Sequence, residues 1–126
     1  MAEIIYLGKL NTQSLENEFG KLRTNDIIIT DERIEHIKLR HPQDYNLFEI
    51  YGTSTVLNPD LIIKDEKNKN TIFMVKKLVN TNLNVIVKLI VDTDEKDYKN
   101  SVMTFYRIRD KNLKKKKKKN KTIYKK

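Results

Sequence analysis

Cysteine is absent from the 126 residues, which removes disulfides, a thiolate nucleophile and any cysteine-ligated metal site. Glycine occurs three times, scattered at Gly8, Gly20 and Gly52, so no glycine-rich loop is available to cradle phosphates. The two histidines, His36 and His41, lack the spacing of a zinc pair, and no nucleophile-elbow motif occurs. Acidic residues are plentiful but follow no EF-hand pattern. No metal or other cofactor is expected. The apolar runs are too short to span a membrane. Met1–Tyr6 lacks the basic start and long apolar core of a signal peptide. A cytoplasmic protein with no membrane partner is the expectation.

The net charge of +9 is unevenly placed. Residues 111–126 hold ten lysines and no acid, which leaves residues 1–110 at about −1. The body is near neutral, and a protein that coats duplex DNA would carry a basic face on its body. The lysine-rich segment adds a non-specific, salt-sensitive attraction to phosphates.

One stretch, Thr30 to Pro42, holds both histidines and has the marks of a helix with defined ends. Thr30 is an N-cap residue, and Asp31 and Glu32 follow where the helix dipole favours negative charge. Pro42 disfavours helical geometry at His41 and ends the element. At about 100° per residue, Ile34, Ile37 and His41 share one stripe while Arg33, His36 and Arg40 share the next. Two guanidinium groups flanking His36 favour the neutral imidazole. A neutral base beside fixed cations suits a phosphodiester, because one group moves a proton while the others hold the oxyanions. The plainer alternative is that Glu32, four residues earlier, pairs with His36 on a solvated face. His41, on the apolar edge, fits a packed or dipole-stabilised histidine.

The remaining pattern gives a short strand over Glu3–Leu10, a short helix over Asn11–Lys21 and an extended run over Asp26–Ile29. A second helix is expected over Tyr45–Val56, ended by Asn58-Pro59-Asp60. Strands follow at Leu61–Lys64, Thr71–Val79, Leu83–Val91 and Ser101–Ile108, with a polar connection at Asp92–Lys99. Leu83, Val85, Val87, Leu89 and Val91 share a face that should meet the helices. Val102, Thr104 and Tyr106 should share one face of the last strand. The expected architecture is α+β: N-terminal helices on a four-stranded antiparallel meander. One domain is expected over residues 1–113. The basic C-terminal tail, residues 114–126, is expected to be disordered, because its like charges repel.

The run His36-Ile37-Lys38-Leu39-Arg40-His41-Pro42, the Asn58-Pro59-Asp60 step, the strand lysines Lys76-Lys77 and Lys88, and the final strand Asn100 to Tyr106 occur in that order. Over roughly residues 26–113 this resembles the phage and mobile-element nuclease-like families of the barnase–EndoU–colicin–RelE superfamily. The resemblance implies a metal-independent ribonuclease of barnase/RelE-like fold, found as a toxin-like or mobile-element domain. His36, Arg40, Lys77 or Lys88, and Thr104 correspond to its helical histidine, the basic residue after it, its strand lysine and its last-strand hydroxyl. His36, Arg40, Thr104 and Lys88 are the catalytic candidates. Arg33, His41, Lys77 and Tyr106 are expected to touch substrate. The partners implied are RNA, tRNA among them, and an inhibitor or antitoxin protein. A glutamate base on a strand, like that of barnase, is not evident. The alternative is a non-catalytic RNA- or protein-binding module of the same fold.

Overall fold

The computed structural model describes residues 3–91, 93 and 98–126. In chain order the elements are β1 (Ile4–Lys9), α1 (Gln13–Phe19), β2 (Asp26–Thr30), α2 (Asp31–Arg40), α3 (Pro42–Leu57) and β3 (Leu61–Lys64). They continue with β4 (Thr71–Lys77), β5 (Asn82–Lys88), β6 (Asn100–Ile108), α4 (Asp110–Lys119) and β7 (Thr122–Lys125). The polar connection expected over Asp92–Lys99 lies mostly outside the described residues.

The α+β class holds, but the four-stranded antiparallel meander does not. The sheet has seven strands in the order β1-β2-β6-β5-β4-β3-β7 and is mixed, because β2 runs parallel to β6. The meander β3-β4-β5-β6 forms its centre and gains strands at both edges. Periodicity marks strands without naming their partners. The composition of β2 carries the missing hint: Ile27, Ile28 and Ile29 are all buried, and a continuous apolar run belongs to a strand covered on both faces.

Residues 114–126 also depart from expectation, continuing α4 and then forming β7. Lysines at i, i+4 along α4 repel one another, but other interactions offset this. Leu113 is buried on the sheet, Lys116 sits 4.0 Å over the Phe73 ring, and basic residues in the last turn complement the helix dipole. Past Asn120 the chain pairs antiparallel with β3. Lys121 there meets Glu18 at 2.6 Å, and Ile123 and Tyr124 pack on the core. Like-charge repulsion among the lysines is outweighed because Leu113, Ile123 and Tyr124 seat the segment on the sheet.

The two faces of the sheet are covered differently. Leu83, Val85, Val87 and Leu89 pack with Ile37 of α2 and Phe48 of α3, as expected. Phe48 stacks on Phe105 of β6 with ring centroids 4.0 Å apart. Gly52 makes room for this, since a Cβ there would lie 2.6 Å from the Phe48 ring. On the opposite face Leu61, Ile63, Phe73, Val75 and Ile108 pack beneath Leu113.

A bulge in β6 corrects the expected alternation. Val87 pairs with Val102 whereas Ile86 pairs with Thr104, leaving Met103 as the extra residue. A one-residue insertion flips every later side chain. Val102 therefore joins Phe105 in the core with the helices. Thr104 instead aligns with Tyr106 and Ile108 on the face of α4.

Candidate active site

The site begins where a strand ends. β2 pairs with β6 at Ile27–Asn100 and Ile28–Ser101, and after Thr30 the chain turns into α2. The expected cap is present: the Arg33 backbone N–H donates to Thr30 Oγ1 at 3.3 Å. From Met103 onward β6 keeps β5 on one side, and among the described residues no strand flanks the other. Asn100 locks the paired part. Its side-chain nitrogen donates to the carbonyls of Thr24 (2.8 Å) and Asp26 (2.9 Å), and its oxygen accepts from the Ile90 N–H (2.9 Å).

Two clefts follow this free edge. The first, about 440 Å³, is lined by Thr30, Glu32, Arg33, His36, Ile37, Met103 and Thr104. Ile37 is buried and holds α2 on the sheet, while the adjoining stripe of Arg33 and His36 is exposed. Helical spacing thus brings the histidine and an arginine to the strand carrying Thr104. Glu32 places a carboxylate in the same cleft. Among the described residues, no hydrogen bond fixes the His36 ring. The second cleft, about 240 Å³, is lined by Arg40, His41, Pro42, Gln43, Asp44 and Arg107. Here the Arg107 Nε meets Asp44 Oδ1 at 2.7 Å, and its Nη2 donates to Gln43 Oε1 at 2.8 Å. Asp44 is buried, so this pair ties the start of α3 to β6.

His36, Arg33, Arg40, His41 and Thr104 therefore gather along one strand edge. The other candidates do not join them. Lys88 Nζ donates to the Lys69 carbonyl at 2.8 Å, reaching toward β4 rather than β6. Lys77 is exposed at the end of β4, where its N–H donates to Asp60 Oδ2 at 2.8 Å. Lys76 Nζ donates to the Asn58 carbonyl at 3.3 Å. Tyr106 lies on the face of α4 and lines a third cleft there.

Arg107 is the residue that sequence reasoning missed. It lines both the second and third clefts. Its only sequence signal is a cation interrupting an apolar strand, and the buried acid that pairs with it lies 63 residues away. Tyr45 donates its hydroxyl to Glu49 at 3.0 Å, which holds its pKa above the usual tyrosine value. Tyr51 is half-buried against the core.

Among the described residues, no group of three or more His, Asp or Glu side chains is placed to hold a metal ion. Nor is any helix among them long and apolar enough to cross a membrane. No family model matches the chain, and no curated protein or solved structure matches it either.

Proposed function

We propose that this chain is an endoribonuclease-like domain of the toxin or mobile-element type, cleaving RNA by 2′-OH transesterification without a metal. One observation carries the reading: His36 and Arg33 of α2 and Thr104 of β6 line a single open cleft. His36 takes the 2′-hydroxyl proton, the 2′-oxygen bonds to the adjacent phosphorus, and the P–O5′ bond breaks as the leaving 5′-oxygen takes a proton from water. Arg33 and Arg40 hold the non-bridging oxygens as negative charge builds on them. Thr104 donates to the same phosphate or orients it. Lys88, engaged with Lys69, takes no part.

A second reading, a non-catalytic RNA-binding module, is favoured by two features of the cleft. The His36 ring has no partner to fix its tautomer among the described residues, and the Glu32 carboxylate weakens the local attraction for phosphate.

Incubation of mixed RNA and tRNA with the protein in EDTA, wild type beside His36→Ala, separates the readings. The expected result is 2′,3′-cyclic phosphate ends from wild type and a drop of about 10²–10⁴-fold in rate in the variant. Intact RNA from both proteins, with and without Mg²⁺, would remove the nuclease reading.

A further inference from the structure

The third cleft, about 750 Å³, opens between α4 and the turn at 65–68. One wall is a helical stripe carrying Lys115, Lys116 and Lys119, and the floor includes Phe73 and Tyr106. The other wall carries Asp65, Glu66, Lys67 and Asn68. These acids are engaged: Asp65 accepts from the N–H of Lys67 at 2.9 Å, and Glu66 lies 3.8 Å from Lys64. Lys116 is held over Phe73. Lys115 and Lys119 form no ion pair among the described residues. Across the ladder from Tyr106 sits Asn84, fully buried and with neither end of its carboxamide paired among the described residues.

Arg107 lines both this cleft and the one beside Arg40 and His41. The second and third clefts therefore meet at Arg107, and the His36 cleft lies farther back along the same strand, at Met103 and Thr104, so that the three mark a path along β6. We infer that this path takes a single-stranded nucleic acid, with a base against Tyr106 and its phosphates on Lys115 and Lys119. A basic wall facing one of mixed charge offers its unpaired cations on one side only, which suits a single phosphate backbone. An aromatic floor offers stacking to an unpaired base. The α4 cleft would then anchor the strand beyond the bond being cut. The inference rests on the RNA reading only for what occupies the His36 end.

Binding separates from cleavage when the probe has no 2′-hydroxyl. A fluorescein-labelled oligodeoxythymidine of about twelve nucleotides, inside the ~4–16 nucleotide footprint of single-strand binding folds, is titrated by anisotropy. The proteins are wild type, Lys115→Gln/Lys119→Gln and Tyr106→Leu, over a range of salt. The double variant should bind at least about tenfold more weakly at low salt. Its log–log salt slope should be shallower by about 1.4, or roughly 0.7 for each phosphate that a lysine no longer neutralises. Tyr106→Leu should bind about tenfold more weakly with its slope unchanged. Both lysines are exposed, so that variant remains informative if Tyr106→Leu unfolds. Wild-type affinity in the double variant would overturn the inference. So would a cleft that ignores the oligonucleotide yet binds an acidic inhibitor protein through the same lysines. Oligonucleotide binding that depends on Lys115 and Lys119, in a protein that cuts no RNA, would keep this inference and remove the nuclease.

Discussion

The first three residues of β6 and the five from Thr104 onward belong to one strand but have different neighbours. Asn100 and Ser101 pair with β2 and Ser101 also with β5, and the Asn100 side chain ties the start of β2 to the segment just past β5 through Thr24, Asp26 and Ile90. Among the described residues Thr104–Ile108 have β5 alone, and each of the three clefts touches Met103–Ile108. Where a second strand flanks β6, its polar groups are consumed in holding the sheet. Where that strand stops, no strand among the described residues covers the edge, Thr104, Tyr106 and Arg107 line the clefts, and α2 and α4 supply cations on either side. The site is made by the early end of β2 as much as by the residues that line it.

The sharpest way to break this contrast is Asn100→Ala. It would leave one buried N–H and two carbonyls without their partner, at a cost of about 3 kcal/mol. Urea unfolding would read that destabilisation, and a change under about 1 kcal/mol would mean that the clip does not hold β2 on β6. In the open half, Arg107→Ala would strip the buried Asp44 carboxylate of its ion pair. A destabilisation of about 2 kcal/mol is expected, less than for a fully buried pair because Arg107 is half exposed. Adding Asp44→Asn should recover part of it in a double-mutant cycle. An additive cycle would show that the two side chains do not depend on each other.

The smallest effect lies at the opposite edge, where β7 covers β3 and Lys121 meets Glu18. The Lys121 hydrogen bond, with help from Lys64, holds the Glu18 carboxyl below its usual pKa. A carboxyl that binds its proton less readily when folded adds stability above its unfolded pKa of about 4.3 and loses it as pH falls through the lower folded value. The Lys121 ammonium is raised by the same interaction; its share is present at neutral pH and disappears as pH rises past its folded pKa. Hydrogen exchange of the β7 amides should therefore accelerate modestly as pH drops below about 4, after correction for intrinsic rates. Glu18→Gln should remove that extra acceleration. Identical acid responses in the two proteins would count against the pair.

Much of α2 was legible because its signals are local. Thr30, Asp31 and Pro42 mark the ends, and the 3.6-residue period separates Ile37 from His36 without knowledge of any partner. The helix face of β5 was legible for the same reason, through strict alternation. What escaped depends on residues far apart in the chain. The β2–β6 pairing, the Arg107–Asp44 ion pair and the seat of β7 on β3 leave no periodic mark. The bulge at Met103 escaped because it breaks the alternation on which strand reading relies. That Thr104 meets the His36 cleft was expected only by resemblance. Lys88, chosen on the same ground, has a carbonyl partner that spacing could not show.

The strand order also sets a timetable for synthesis. Asn100 bonds to Thr24, 76 residues earlier, so the Ile27–Ile29 run leaves the ribosome long before the strand that shields it. Until β6 arrives, β1 and β2 have no strand to join them to the rest of the sheet, and a two-stranded pair gains little stability of its own in water. Pairing across so long a loop carries a closure cost that local interactions cannot repay early. The chain is therefore at its most adhesive in mid-translation, and the strand that ends this exposure is the one that carries the site.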